Sequence, residues 1–256
     1  RQMCIRDRFN VVIQLGAILA VVVLYWSKLW PFHRKHIPQR SWFAQQSTNG
    51  FVGGLQRFGD RYCCMDKIVM WLKIAVSCLP AMLIGLPLND WLDKHFYNPT
   101  VVALMLLLYG AGFLFVERYN RSRKPRVNSI AALRWSDALL IGVFQVLALI
   151  PGTSRSGATI LGGILIGTSR EVAAEYTFFL AVPVMFGASL LKIVKFGAIS
   201  GTELGVLLVG MAVAFGVSIL AIRFLMGYIR KHDFTAFGWY RIGLGLLVLL
   251  YFYVIR

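Results

Sequence analysis

Apolar residues along this chain gather into long runs, separated by short segments rich in basic or turn-forming residues. Residues 11–30 are apolar apart from Gln14, Ser27 and Lys28. Residues 68–88 carry one charge, Lys73, and two prolines, Pro80 and Pro87. Residues 100–116 and 204–222 carry no charge, residues 176–194 only Lys192, and residues 237–255 only Arg241. A helix of about 20 apolar residues crosses the hydrocarbon core of a bilayer. Inside that core the backbone must satisfy its own hydrogen bonds, so helices and closed barrels are the available forms. Barrel strands would alternate in polarity over about 10 residues, and these runs do not alternate. The pattern predicts an all-α polytopic membrane protein with six transmembrane helices.

One stretch breaks the pattern. Residues 138–150 and 157–167 are largely apolar, but each is too short to cross, and a polar turn joins them. Two half-length helices joined by a Pro/Gly/Ser turn predict a re-entrant helical hairpin over residues 138–167. Irregular backbone at membrane depth is tolerated only inside protein or beside a watery cavity. Chemistry is therefore expected at the hairpin tip.

Composition agrees. The 256 residues are 58% hydrophobic and 15% charged, with a mean hydropathy of +0.67. A net charge of +16 raises nucleic acid as a partner, but no basic patch is interleaved with stacking aromatics, and none is expected. The basic residues collect instead on particular connections. Residues 31–66 hold Arg34, Lys35, Arg40, Arg57 and Arg61, and residues 117–137 hold Arg118, Arg121, Arg123, Lys124, Arg126 and Arg134. The connections 89–98 and 195–203 hold only Lys94 and Lys195, whereas 227–236 holds Arg230 and Lys231. Lysine and arginine favour cytoplasmic loops. The expected topology has the first helix running inward, the basic loops in the cytoplasm and the C-terminus outside.

Cysteine and histidine add little. Cys63 and Cys64 are neighbours in an expected cytoplasmic loop, where disulfides are rare, and no cysteine pair has zinc-ligand spacing matched by a second pair. His33 and His36 are three apart without a further ligand following, and His95 and His232 are expected in loops like them.

The informative segment is Pro151-Gly152-Thr153-Ser154-Arg155-Ser156-Gly157-Ala158-Thr159. Pro151 ends the incoming helix, Gly152 permits positive φ, and Ser154 or Ser156 can cap the outgoing helix. The free N–H groups and positive dipole end of that helix form an anion site. Arg155 adds a fork suited to phosphate oxygens, and Ser154, Ser156 and Thr159 add hydroxyls. Thr159, four residues on, shares a helix face with Arg155. An ordinary interhelical turn with an interfacial arginine would use the same residues. Against it, a charge at depth costs about 2.5–3.5 kcal/mol on insertion scales and marks function. An anionic lipid headgroup would compensate that cost.

Other polar positions have two readings. Glu175 follows Glu171 by four, and acids in a first turn complement the helix dipole; contact with substrate is the alternative. Gln14 and Gln145 interrupt apolar helices, through interhelical hydrogen bonds or substrate contact. Arg241 snorkels or lines the cavity. Gly157, Gly162, Gly163 and Gly167 are expected to allow close helix packing.

The stretch 138–194, with Phe144-Gln145, the nine-residue block from Pro151 to Thr159, and Glu175 through Val182-Pro183, resembles the second half of the undecaprenyl-diphosphate phosphatase family, also called bacitracin-resistance proteins. The run from Val11 to Val22 resembles the helix after that family's first hairpin. The likeness covers nearly the whole chain from Phe9 onward. It implies one integral-membrane domain over residues 9–256, in the bacterial inner membrane, with a cavity open to the external face. It implies hydrolysis of the terminal phosphate of undecaprenyl diphosphate, which recycles the lipid carrier of cell-wall synthesis. Under this resemblance Arg155 binds phosphate, with Ser154, Ser156 and Thr159 around it, and Gly152, Gly157, Glu175 and Gln145 contact substrate. A divalent cation, Mg²⁺ or Ca²⁺, is implied as cofactor. The implied partners are a polyprenyl diphosphate lipid and the surrounding membrane lipids, with bacitracin competing for the substrate; a homodimer is compatible with the family.

The resemblance has a gap. The family's first hairpin carries paired glutamates four apart and then a Pro-Val-Ser-Ser-Thr-Gly-His run, and neither is present. Residues 1–8 read as extraneous, Asn10 stands where the family often has an acid, and the chain is expected to be impaired in catalysis. A serine nucleophile needs a base, and none is apparent beyond Glu175, so the serines are expected as oxyanion donors. Residues 9–22 and 176–189 read as weak counterparts in an inverted repeat. A transporter or flippase for a phosphorylated lipid shares the broken-helix pattern. The membrane acid phosphatase type needs a histidine six residues after its Ser-Arg, where Leu161 stands.

Overall fold

The computed structural model describes residues 5–32, 64–194 and 201–255. Its elements are α1 (Ile5–Leu24), α2 (Trp26–Leu29), α3 (Met65–Phe96), α4 (Pro99–Asn120), α5 (Trp135–Val146), α6 (Arg155–Ile166), α7 (Arg170–Ile193), α8 (Gly201–Lys231) and α9 (Thr235–Leu250). A 3₁₀ turn, Leu147–Leu149, continues α5, and a π-helical turn, Tyr251–Ile255, continues α9. Five stretches are long and apolar enough to cross a membrane: Asp66–Gly85, Pro99–Asn120, Arg170–Ile193, Gly201–Lys231 and Thr235–Val254. The protein is a multi-pass helical membrane protein. Its outward faces stay apolar, with Phe115 66%, Leu220 68% and Phe224 72% exposed, as suits contact with lipid rather than water.

The first predicted crossing, 11–30, takes a different form. Its apolar stretch is Arg8–Leu24, and the backbone leaves the helix at Tyr25 (φ −110°, ψ 20°) before the separate turn of α2. Tyr25 turns its ring edge-on to Phe179 at 5.2 Å and stacks on Phe178 at 6.5 Å, which holds this break against α7.

The other helices outrun their apolar cores. The expected connection 89–98 is helical to Phe96; Asn98 then caps α4, accepting from the Val101 N–H at 2.8 Å, with Pro99 just inside. The expected connection 227–236 is helical to Lys231. Polar residues at a helix end face headgroups without ending the helix, so hydropathy alone places these ends too early. Accordingly His95 lies in the last turn of α3, its ring stacked on Trp91. His232 follows α8 and stacks on Tyr228. His33, His36 and Cys63 lie outside the described residues.

Helix α4 packs along α9, α1 along α8 and α7, and α3 along α5. Small residues let these backbones approach. A Cβ on Gly142 would stand 2.4 Å from the Ser77 carbonyl oxygen, and one on Gly16 would stand 2.5 Å from that of Met211. The buried Ser77 hydroxyl donates to the Ala138 carbonyl at 2.6 Å and meets the Tyr176 hydroxyl at 2.7 Å. One side chain thus ties α3, α5 and α7 together. The core around it contains Ile74, Leu133, Ile141, Phe179 and Leu180.

Polar contacts concentrate where α4 ends. Glu117, buried, accepts from Arg170 Nε at 3.0 Å on each oxygen and from Arg170 Nη2, and also from the Phe234 N–H at 3.1 Å. It joins α4, α7 and the α8–α9 turn. The N–H groups of Arg126 and Val127 donate to the Gly167 carbonyl at 2.8 and 3.1 Å, and the Ser169 N–H donates to Val127 at 2.9 Å. The basic segment is therefore sewn to the turn between α6 and α7.

Candidate functional site

Helices α5 and α6 are each 12 residues, or about 18 Å at the usual rise. They form the two arms of the hairpin predicted for 138–167. The incoming arm starts earlier than its apolar run because Asp137 caps it. That buried carboxylate accepts from the Arg134 N–H at 3.0 Å and from Arg126 Nη2 at 2.6 Å. The arm loosens into the 3₁₀ turn, and Ile150 is extended (φ −77°, ψ 123°), as the residue before a proline prefers. Gly152 then takes φ +89°, the turn expected of it. Its missing Cβ would meet Val102 Cα at 2.6 Å, so the bend presses on α4.

Of the two serines that could cap α6, the structure uses Ser154. Its hydroxyl accepts from the Gly157 N–H at 3.3 Å and lies 3.0 Å from the Ser156 hydroxyl. Arg155 is the first helical residue. The Arg155 and Ser156 N–H groups are left without an acceptor inside the helix. Helix α6 ends on Gly167 in the left-handed region, φ +99°. That residue is thus a cap rather than a packing glycine. Gly162 does pack, since its Cβ would stand 2.3 Å from the Phe144 ring.

A cavity of 390 Å³ opens over this turn. One end is polar, lined by Gln145, Ser154, Arg155, Ser156, Thr159 and Thr177. The walls beyond are apolar, from Ala17, Ile18 and Val21 of α1, Phe178, Val182 and Met185 of α7, and Ala221 and Ile222 of α8. Five expected site residues therefore converge. Thr159 donates to the Arg155 and Ser156 carbonyls at 3.0 and 3.2 Å and accepts from Thr177 at 2.9 Å. Gln145 is buried and its Oε1 has no hydrogen-bond partner.

Three expected residues lie elsewhere. Gly152 faces Val102, and Gly157 faces the guanidinium of Arg241. Glu175, buried on α7, bonds Lys28 Nζ at 2.5 Å and does not line the cavity. Gln14 is exposed. Sequence reasoning missed Thr177 and Ser218, both cavity residues. Each is a lone hydroxyl in an apolar run, and such residues commonly bond their own helix.

The arrangement is a cation and several hydroxyls at a helix N-terminus, backed by an apolar channel. Such groups are chemically suited to an anion that carries a long apolar tail. They offer a divalent cation little: the described lining holds hydroxyls, an amide and a guanidinium but no carboxylate. No group of three His, Cys, Asp or Glu converges among the described residues. Such ions prefer carboxylate oxygens.

Comparison with known proteins points the same way. Residues 2–247 match the family model described as bacitracin resistance protein BacA. The chain is 54% identical over 252 residues to an undecaprenyl-diphosphatase of Acetivibrio thermocellus, covering 98% of this chain and 84% of that protein. It is 53% identical to one from Desulfitobacterium hafniense over 96% of this chain and 81% of the other. It is 50% identical to one from Enterococcus faecalis, over 96% and 82%.

Proposed function

With the chain belonging to the bacitracin resistance protein BacA family, we propose that the Ser154-Arg155-Ser156 turn is the phosphate-binding half of its active site. The protein is an undecaprenyl-diphosphate phosphatase, cleaving the terminal phosphate from undecaprenyl diphosphate. One observation carries the reading of the site. Arg155, paired with no carboxylate among the described residues, stands at the N-terminus of α6 at the polar end of a cavity whose walls beyond are apolar apart from Ser218.

The headgroup lies against the first turn of α6. The Arg155 fork takes two phosphoryl oxygens, and the free N–H groups of Arg155 and Ser156 point at the same anion. Ser154 accepts from the Gly157 N–H and lies 3.0 Å from the Ser156 hydroxyl, so one serine donates to the other and the pair keeps one hydroxyl proton to donate to the anion. Among the described lining residues these serines meet no general base, so they act as donors; water attacks the terminal phosphorus, and its proton leaves on the inorganic phosphate. The bond to the bridging oxygen breaks and undecaprenyl phosphate leaves. In such transfers positioning and charge stabilisation supply most of the catalysis. The polyprenyl tail follows the walls formed by α1, α7 and α8. No step is assigned to a metal ion, because the described lining does not suit one.

The hairpin is read as re-entrant. Asp137 near the start of α5 bonds Arg126, and the Gly167 carbonyl at the end of α6 bonds the Arg126 and Val127 N–H groups, so both roots stand at one level. That end carries Arg118, Arg121, Arg123 and Arg126, which supports a cytoplasmic root and a tip directed to the outside. Helix α1, with 20 residues, or about 30 Å, is read as the sixth crossing.

Phosphate release from a polyprenyl diphosphate tests the site. Arg155→Gln is expected to lower kcat/KM by about 10²–10³-fold, as loss of a transition-state donor does, with Arg155→Lys intermediate. An Arg155→Gln protein that turns over at the wild-type rate removes the reading.

A further inference from the structure

We propose that Arg241 is a second cation of the anion site, holding the diphosphate from the Ser154 side while Arg155 holds it from the cavity. This rests on the phosphate-binding reading of the Ser-Arg-Ser turn and extends it to α9.

Besides Arg155 and Lys73, which reaches the Ala131 carbonyl, charge accounting leaves Arg241. Each buried acid among the described residues has its own base: Glu117 has Arg170, Asp137 has Arg126 and Glu175 has Lys28. Arg241 lies within the apolar stretch Thr235–Val254 and is paired with no carboxylate among the described residues. Its guanidinium rests 5.8 Å from the Phe113 ring centre, and its Nη1 is buried without a hydrogen-bond acceptor. A snorkelling arginine keeps its head in water, whereas Nη1 of this head is buried. A charge left in that state is costly and marks function.

Position says what it serves. The point where a Cβ of Gly157 would stand is 3.0 Å from Arg241 Nη2 and 3.4 Å from Ser154 Cβ. The backbone of Gly157 therefore stands between the head of Arg241 and the Ser154 side chain, and Ser154 lines the cavity. Thr153, one residue earlier, is 8% exposed, and its hydroxyl also has no hydrogen-bond partner. Tyr109 of α4 is a neighbour of both Thr153 and Arg241, and Arg241 Nη1 is still left without an acceptor. A guanidinium only donates, so an acceptor is what this flank lacks. A phosphoryl group supplies several acceptor oxygens, and a diphosphate carries more negative charge than one guanidinium neutralises.

The test titrates inorganic diphosphate and inorganic phosphate separately into the full chain in detergent, following thermal stabilisation. The wild type is compared with Arg241→Gln, Arg241→Lys and Arg155→Gln. Arg241→Gln is expected to weaken diphosphate about tenfold, the scale of one charge-assisted hydrogen bond, with less effect on phosphate and partial recovery in Arg241→Lys. A protein that melts earlier but binds diphosphate as the wild type does overturns the proposal and makes Arg241 a water-bridged anchor. Equal losses for the two anions overturn the two-sided arrangement. If Arg241→Gln does not fold, Gly157→Ala crowds the same guanidinium, and unchanged diphosphate binding in that variant has the same meaning. Undiminished binding in Arg155→Gln, or no binding by the wild type, removes the underlying reading as well.

Discussion

The Thr177 hydroxyl donates to the Thr159 hydroxyl at 2.9 Å, joining the long helix α7 to the first turns of α6. Thr159 in turn donates to the Arg155 and Ser156 carbonyls. Thr177 thus acts on the arginine through another side chain and is a positioning residue. Thr177→Val keeps the shape and removes the donor. A fall in kcat/KM of about 3–10-fold is expected, one ordinary hydrogen bond, with Thr177→Ser close to wild type. Steady-state hydrolysis with a melting curve checks it; an equal loss in the serine variant would mean that packing, not bonding, matters here.

The ion pair of Lys28 and Glu175 is lopsided, with side chains 57% and 12% exposed. Removing the charge of Glu175 leaves Lys28 free to hydrate, and pairs with an exposed partner contribute about 0–1 kcal/mol. Removing Lys28 strands a carboxylate that is largely out of water, which costs more. Lys28→Met should therefore lower the melting temperature more than Glu175→Gln, and Glu175→Gln should leave KM unchanged. The reverse order of melting temperatures, or a raised KM in Glu175→Gln, returns Glu175 to the substrate site.

Gly152 combines φ +89° with a backbone neighbour that cannot yield. Alanine there adds strain of about 1–3 kcal/mol and forces the bend off Val102. Gly152→Ala should express as a less stable protein with hydrolysis reduced at least as much as in Thr177→Val. Wild-type melting and turnover would show that the bend tolerates displacement.

Glu117 bonds Arg170 and the Phe234 N–H and does not line the cavity. Glu117→Gln keeps an acceptor for the Phe234 N–H but removes the buried charge that the partly exposed Arg170 bonds, a change of about 1.5–3 kcal/mol. Strong destabilisation with KM unchanged in the surviving fraction is expected in thermal melts and kinetics. A change in KM without destabilisation would contradict it.

The hairpin was legible because its residues are backbone instructions: Pro151, Gly152 and Ser154 each restrict or complete a turn in a way that survives any tertiary setting. Arg155 was legible because charge is rare in apolar surroundings. The limits of α3 and α8 were not, since a helix passes through the headgroup region on polar residues such as Lys94 and Arg230 without changing form. Glu175 read as a site residue through its proximity to the motif in sequence, but α7 turns it toward α2. Thr177, two residues later, faces the cavity, and nothing in an apolar run distinguishes the hydroxyl that does so. Gly157 read as a packing residue or substrate contact, and only the placement of α9 reveals Arg241 beside it.

The apolar walls contributed by α1, α7 and α8 have a kinetic corollary. A substrate whose tail travels along them reaches the enzyme by lateral diffusion, and its tail competes with bulk acyl chains for the same surface. Saturation should then track the mole fraction of substrate among the lipids, so diluting vesicles with buffer leaves the rate per enzyme constant, while adding inert phospholipid lowers it.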